Sequence, residues 1–147
     1  MKVLAVSSIG GHWVQLLRLI PAYEGDNVEF ASTNKGLAST VAPHKFHYIP
    51  DCSRANKISL IKCFLYIVKL IYLVKPDIII TTGAAPGLMA IIAGRFYGMK
   101  TIWVDSIANS EKISLSAKIA LKFADAVYTQ WQHLEGNGIT YKGNVLK

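Results

Sequence analysis

A pair of glycines followed by a histidine is the first pattern in this chain that could do chemistry. The segment Ser8-Ile9-Gly10-Gly11-His12 directly follows a short apolar run. Glycine lets a backbone turn tightly and approach a ligand closely, and the free N–H groups at the start of a following helix attract anions. The segment therefore predicts a phosphate or diphosphate site at Ser8, Gly10 and Gly11, with a plain strand-to-helix turn as the alternative.

His12 stands at the mouth of this turn. Its imidazole could act as a general base or contact a diphosphate, although a lone histidine is more often structural. The glycines do not have the G-x-G-x-x-G spacing, so the fingerprint of a dinucleotide-binding turn is absent.

Two later loops also offer polar groups or room for close approach. In Thr82-Gly83-Ala84-Ala85-Pro86-Gly87 the candidate ligand contacts are Gly83 and Ala84, and a βα turn without a ligand fits equally well. In the segment 105–111, Asp105 and Glu111 could accept a proton from a sugar hydroxyl or hold it by a hydrogen bond. Asn109 could contact the same ligand or cap the next helix.

Short apolar runs that alternate with helical patterns must position these loops. The predicted strands are Lys2–Ser7, Val28–Ser32, Phe46–Ile49, Asp77–Thr82, Lys100–Val104 and Ala126–Thr129. The predicted helices are Trp13–Ile20, Gly36–Val41, Ile58–Val74, Gly87–Tyr97 and Ser114–Phe123. Such alternation indicates right-handed βαβ units. We therefore predict one α/β domain, residues 1–147, with a Rossmann-like, doubly wound parallel sheet that binds ligands at the carboxyl ends of its strands.

The helix predicted at Ile58–Val74 is more apolar than a helix that only covers a sheet. Its apolar residues extend well beyond a stripe of about 100°, and lysines that can reach lipid headgroups lie on and around it. We predict an interfacial helix on an anionic membrane, with a buried core helix or a protein–protein face as alternatives. The predicted membrane contacts are Lys62, Phe64, Leu65, Lys69 and Tyr72.

Composition limits the classes of partner. The net charge of +7 favours an anionic partner, but the basic residues are scattered, which disfavours nucleic acid. Cys52 and Cys63 form no C-x-x-C pair, so reduced thiols are expected, and neither a metal site nor a cofactor is predicted. No uninterrupted apolar run reaches the ~20 residues of a membrane-spanning helix, and residues 1–9 resemble a buried strand rather than a signal peptide.

Several of these segments, in the same order, resemble the PssD-like proteins of bacterial exopolysaccharide clusters. The segments are Ser-Ile-Gly-Gly-His-Trp at 8–13, Pro-Asp-Cys-Ser-Arg at 50–54, Thr-Thr-Gly-Ala-Ala-Pro-Gly at 81–87, Trp-Val-Asp-Ser-Ile-Ala-Asn at 103–109, Ser-Leu-Ser at 114–116 and Thr-Gln-Trp at 129–131. That family is similar to the membrane-anchoring subunit of the eukaryotic enzyme that adds the second N-acetylglucosamine to dolichol diphosphate. It is more distantly similar to the N-terminal domain of the lipid II-forming transferase of peptidoglycan synthesis.

The resemblance implies a split GT-B glycosyltransferase. This chain would supply the acceptor-binding N-terminal domain, and a separate catalytic subunit, forming a heterodimer with it, would bind the UDP-sugar. The PssD-like branch implies inverting β-1,4 transfer, often of glucuronic acid, to a sugar on undecaprenyl diphosphate in exopolysaccharide or capsule biosynthesis. The chain would lie peripherally on the cytoplasmic face of the plasma membrane. It is expected to lack the N-terminal anchor of the eukaryotic subunit, so the apolar helix and basic residues would hold it there.

Within that mechanism, the expected bases are His12 first and then Asp105 and Glu111. The sequence leaves three other functions open. The chain could be a recruiter that brings a catalytic subunit to the membrane without contributing a catalytic group. It could also be a free-standing nucleotide-binding oxidoreductase, which the absent dinucleotide fingerprint disfavours, or a nucleic-acid binder, which only the net charge favours.

Overall fold

The computed structural model describes residues 1–146 and has a single parallel sheet of seven strands. The strands are β1 (Lys2–Ser7), β2 (Asn27–Ser32), β3 (Lys45–Tyr48), β4 (Ile78–Gly83), β5 (Lys100–Val104), β6 (Ala126–Thr129) and β7 (Ile139–Tyr141). Their order in the sheet is β3-β2-β1-β4-β5-β6-β7. The order reverses between β1 and β4, and ligands of such sheets bind outside the strand ends at that point.

Among residues 1–146, four α-helices connect the strands: α1 (Gly11–Arg18), α2 (Lys57–Val74), α3 (Ala84–Phe96) and α4 (Leu115–Ala120). The same described range has short 3-10 helices at Ile20–Tyr23, Lys35–Thr40 and Gln132–Leu134. The predicted Rossmann-like α/β fold is confirmed.

The helices divide between the two faces of the sheet because alternate residues of a strand point to opposite faces. Val3 and Ala5 of β1 pack with Trp13 and Leu16 of α1. Leu4 and Val6 of the same strand pack instead with residues of α2 and α3. A third cluster contains the buried Trp103 and residues of α3 and α4. These two helices therefore cover the same face of the sheet as α2. Layers of helix on both faces explain why β1 and β4 are continuously buried along most of their length.

The structure changes several predicted boundaries. The helix predicted at Gly36–Val41 is a 3-10 helix at Lys35–Thr40. Helix α3 begins three residues earlier than predicted, and α4 ends at Ala120 rather than Phe123. The strand β7 was not predicted. It has only three residues and follows Gly136 and Gly138, both with positive φ, so its sequence is too short to show a period.

The limits of α2 follow from its capping residues. At its start, the Asn56 side chain accepts a hydrogen bond from the Ser59 N–H at 3.1 Å. At its end, Lys75 adopts the left-handed conformation and Pro76 follows, which cannot continue the helix. None of the helices within residues 1–146 is both long and apolar enough to cross a bilayer.

Candidate functional site

Two helices begin at the point where the strand order reverses. Gly10, after β1, is the N-cap of α1, and Gly83, at the end of β4, is the N-cap of α3. Neither helix has a side-chain cap or an acidic residue in its first turn. Both therefore present backbone N–H groups and the positive ends of their dipoles without a carboxylate to neutralise them. This arrangement suits an anion with more than one phosphate.

His12 joins the two helix starts. Its Nδ1 lies 2.9 Å from the backbone oxygen of Thr82, and the Thr82 hydroxyl donates to the backbone oxygen of His12 at 2.6 Å. Because a carbonyl oxygen can only accept, Nδ1 must carry a hydrogen. The neutral imidazole then has its lone pair on Nε2, the nitrogen that a general base needs.

The close approach of His12 to β4 requires glycine at position 83. A Cβ atom on Gly83 would lie 2.8 Å from Nδ1 of His12 and 2.9 Å from Cε1. The φ of Gly83 is +131°, and the next residue, Ala84, has a φ of +66°. Positive φ in a residue with a side chain is strained and is often found at ligand sites. The backbone at the start of α3 is thus bent around the imidazole.

Space is open on the other side of the histidine. Cβ atoms built on Gly10 and Gly11 would meet nothing within 4 Å, and both residues are exposed. Gly10 has a φ of +84°, which favours glycine. Ser8 is half-buried at the same strand end. The predicted Ser8–Gly11 turn therefore lies open to solvent beside His12.

Asp105 lies next to this region but faces into the protein. Its side chain accepts hydrogen bonds from Nε1 of Trp103 at 3.1 Å and from the amide group of Asn109 at 3.3 Å. It also accepts from the N–H and the hydroxyl of Ser114 at 2.9 and 2.7 Å. With 3% exposure and four protein donors, Asp105 positions the loop after β5. Its predicted role as a base or sugar contact stays a prediction, and these four hydrogen bonds do not favour it.

The other predicted residues of that loop have different surroundings. The cap of α4 is Ser114, whose Oγ accepts from the Ala117 N–H at 3.0 Å, so the alternative role of Asn109 as a cap is wrong. Asn109 is half-buried with its amide directed at Asp105. Glu111 is exposed on a bend. The catalytic and ligand-binding roles of Glu111, Asn109 and Ala84 stay predictions.

Two buried glutamines tie these loops together. The sequence analysis gave neither a role, although Gln130 lies in the Thr-Gln-Trp segment at 129–131. Gln15 of α1 donates to the Ser106 hydroxyl at 3.1 Å and accepts from the N–H of Ile107 at 3.0 Å. Gln130, after β6, donates to Gln15 at 2.6 Å and to the backbone oxygen of Asp105 at 2.9 Å. The glutamines lie 115 residues apart in sequence, and no local pattern marks either as a network residue.

The exposed face of α2 is apolar and basic together. Ile58, Ile61, Leu65 and Tyr72 are 59–74% exposed, and Lys62 and Lys69 are exposed between apolar neighbours. Phe64, predicted as a membrane contact, instead packs half-buried against the core cluster of α2 and α3. The remaining predicted contacts lie on the solvent side of the helix.

Possible metal ligands are dispersed. Within residues 1–146, no three His, Cys, Asp or Glu side chains come together in a way that could hold a metal ion. Cys52 is half-buried and Cys63 fully buried, and both are free thiols. A hydrogen bond from Cys63 lowers the pKa of Cys52, against the opposing effects of burial and of Asp51.

Solved structures with a similar fold include MurG and UDP-N-acetylglucosamine 2-epimerases. MurG of Acinetobacter baumannii matches with a TM-score of 0.79 at 14% identity, covering 97% of this chain and 46% of the MurG chain. UDP-N-acetylglucosamine 2-epimerases of Rickettsia bellii and Methanocaldococcus jannaschii match with TM-scores of 0.76 and 0.71 at 12% and 14% identity. These alignments cover 99% and 98% of this chain but only 45% and 46% of the epimerase chains. The chain thus spans less than half the length of these structures, and the likeness establishes the fold.

Sequence comparison is more specific. The UDP-N-acetylglucosamine transferase subunit ALG14 of Yarrowia lipolytica is 27% identical over an alignment 161 positions long, gaps included, which covers 90% of this chain and 74% of that protein. The family model of the Alg14-like oligosaccharide biosynthesis proteins matches residues 31–145, which include β4, α3 and the Asp105 loop. The chain therefore belongs to the Alg14-like family of oligosaccharide biosynthesis proteins.

Proposed function

We propose that this chain is the acceptor-binding, membrane-associating subunit of a heteromeric glycosyltransferase whose other subunit binds a UDP-sugar. The observation that carries the proposal is the pair of uncapped helix starts joined by His12 at the reversal of strand order. Membership of the Alg14-like family and a relative named as a transferase subunit support the subunit role.

The acceptor is proposed to be a sugar on a polyprenyl diphosphate. The N–H groups at the starts of α1 and α3 would receive the diphosphate, with Gly10 and Gly11 leaving room for it. The acceptor sugar would then extend toward His12. A net charge of +7 favours such an anionic ligand.

His12 is the proposed general base. The hydroxyl oxygen of the acceptor attacks the anomeric carbon of the donor sugar, and its proton passes to Nε2 of His12. The bond from the anomeric carbon to the UDP oxygen breaks, and UDP leaves with the bonding electrons. The hydrogen bond from Nδ1 to Thr82 holds the required tautomer, while Glu111 remains a second candidate base.

The finer specificity follows the resemblance to the PssD-like proteins. We propose inverting β-1,4 transfer of glucuronic acid to an undecaprenyl-diphosphate-linked sugar in exopolysaccharide or capsule biosynthesis. The exposed apolar and basic face of α2 would hold the chain peripherally on the cytoplasmic face of the plasma membrane. The lipid tail of the acceptor would then remain in the bilayer beside the site.

The decisive experiment is co-expression of the full chain with a candidate UDP-sugar-binding subunit. Transfer from a panel of UDP-sugars to a lipid diphosphate acceptor is measured for each chain alone and for the pair. We expect transfer by the pair and none by this chain alone. Full transfer by this chain alone would contradict the subunit role.

The first prediction concerns His12 in the assembled pair. His12→Ala should lower turnover by about 10²–10⁴-fold, the usual contribution of a general base, while co-purification of the subunits is unchanged. The matched control is His44→Ala, since His44 is an exposed histidine before β3. Unchanged turnover in His12→Ala would remove His12 from the mechanism and favour the recruiter function.

A further inference from the structure

A groove between the edge strand β3 and helix α2 lies outside the site described above. Its volume is about 360 Å³, near the lower end of the ~300–1,000 Å³ range of small-molecule sites. A polar headgroup would fit in such a space, whereas a whole lipid would not. The lining residues are Lys35, Phe46, His47, Tyr48, Tyr66, Lys69, Leu70 and Leu73.

The charge of the groove is positive. Two lysines line it: Lys35, the first residue of the 3-10 helix Lys35–Thr40, and Lys69 of α2. The ammonium group of Lys35 lies over the Tyr48 ring, 5.2 Å from its centroid, which orients this cation beside the groove. Among the described residues that line the groove, none is acidic.

The nearest buried carboxylate, Glu29, does not cancel this charge. Its oxygens lie 2.7 Å from Nε2 of His47 and 3.6 Å from Nζ of Lys2, and its side chain is only 5% exposed. Glu29 is therefore engaged by those two partners inside the protein. Neither of the lysines that line the groove is a partner of Glu29.

The groove is also continuous with the apolar face of α2. Tyr66, Lys69 and Leu73 line the groove and are exposed on the same side of the helix as Leu65 and Tyr72. If that side lies in the membrane interface, the groove opens at the depth of the lipid phosphates. Its apolar residues would then meet the first carbons of the lipid, and its lysines and tyrosine hydroxyls would meet the phosphate.

We infer that the groove between β3 and α2 binds the phosphate of an anionic phospholipid headgroup. The inference rests on the proposed membrane-associating role of α2 and adds a defined headgroup site to it. Two lysines can donate charge-assisted hydrogen bonds to the phosphate. They would also repel the quaternary ammonium of a zwitterionic choline headgroup, so an anionic headgroup is favoured. A general surface field would not depend on which lysines are present.

The test uses the full chain and dihexanoyl-phosphatidylglycerol below its critical micelle concentration, so that no membrane surface contributes. Binding is followed by ¹H–¹⁵N NMR. We expect saturable shifts at Phe46–Tyr48 and at Tyr66–Leu73, and weaker shifts with dihexanoyl-phosphatidylcholine. Shifts elsewhere only, or equal shifts with inorganic phosphate at the same concentration, would overturn the lipid headgroup as the ligand.

Single substitutions distinguish binding in the groove from general electrostatic attraction to the protein surface. Lys35→Gln and Lys69→Gln should each weaken binding of the soluble lipid by about tenfold, the loss expected of one charge-assisted hydrogen bond. Tyr66→Phe should weaken it without a change in charge. Lys118→Gln, which changes an exposed lysine of α4 outside the groove, is the control and should leave affinity unchanged. Equal loss in all four variants would contradict the site.

A vesicle arm distinguishes this inference from the broader proposal. Flotation with phosphatidylglycerol vesicles is measured for the wild type, the Lys35→Gln/Lys69→Gln double variant and Leu65→Ser. Two results together would overturn the headgroup site but leave the membrane-associating role of α2 standing. These are loss of vesicle binding in Leu65→Ser and no NMR shifts at the groove residues when soluble lipid is added to the wild type. Absence of vesicle binding by the wild type would overturn the membrane role itself, and the headgroup site with it.

Discussion

The glycines around the candidate site differ in the space that surrounds each Cα atom. A Cβ on Gly11 would enter open space, whereas a Cβ on Gly87 would collide with the buried Thr81 side chain, including its Oγ1. At Gly83 it would meet the His12 ring. Gly11 therefore leaves room for a ligand, Gly87 lets α3 pack on β4, and Gly83 admits the imidazole.

Alanine at positions 11 and 87 should have opposite effects. Gly11→Ala should leave the free energy of unfolding unchanged or raise it by up to ~1 kcal/mol, because alanine favours helix, yet weaken acceptor binding by filling the open space. Gly87→Ala should lower the free energy of unfolding by about 1–3 kcal/mol through overpacking. Thermal unfolding and a lipid-diphosphate binding assay measure the two effects. Stronger acceptor binding by Gly11→Ala would contradict the placement of the diphosphate.

At the scale of elements, one side of α2 packs in the core and the opposite side faces solvent. Cys63, Ile67 and Ile71 are fully buried in the core, so one side of the helix holds the fold. The opposite side exposes large apolar residues together with lysines. Large exposed apolar surfaces on folded proteins often mark interaction sites, which supports the proposed membrane contact of α2.

Substitution on the outer side of α2 should separate membrane contact from stability. Leu65→Ser should reduce flotation with phosphatidylglycerol vesicles, because it removes a 62% exposed apolar side chain from the proposed contact. Its free energy of unfolding should change by less than ~0.5 kcal/mol, as for other surface substitutions. Leu115→Ser on α4, where the leucine is 58% exposed, is the matched control. Equal loss in both variants would argue against α2 as the contact.

At the scale of the whole molecule, one ion-pair network links the three strands of the β3 edge. Lys2 of β1, Glu29 of β2 and His47 of β3 meet at 2.7–3.6 Å. Burial opposes ionisation of Glu29, but the hydrogen bond and charge of His47 and the charges of Lys2 and Lys45 outweigh it and lower the pKa of Glu29 below its ordinary value of 4.5. The network therefore makes stability depend on pH.

The sign of this dependence follows from the lowered pKa. The folded state holds Glu29 ionised more strongly than the unfolded state does, so its contribution is complete above about pH 4.5 and is lost as the pH falls through the lowered pKa. Glu29→Gln should cost about 2 kcal/mol at pH 7, the scale of hydrogen bonds to a charged group, and less in acid. Urea unfolding from pH 7 down to pH 3 measures this. The exposed Glu24→Gln is the control, and a constant difference across that range would contradict the argument.

The sequence by itself determined the parts of this protein that depend on local pattern. Apolar runs placed six strands within one residue, and the long apolar pattern placed α2 within one residue. The Ser8–His12 turn was also recognisable, because its glycines and its place after a strand are local features.

Only the tertiary structure decided which residues from distant parts of the sequence contact one another. Nδ1 of His12 finds its partner at Thr82, 70 residues away, and Gln15 finds Gln130 across 115 residues. Asp105 was expected at the ligand edge, but Trp103, Asn109 and Ser114 surround its carboxylate and turn it inward. Phe64 lies on the α2 face that meets the core. Such outcomes depend on how separate elements pack, because a side chain's partners and exposure are properties of the assembled sheet and helices and not of its neighbours in sequence.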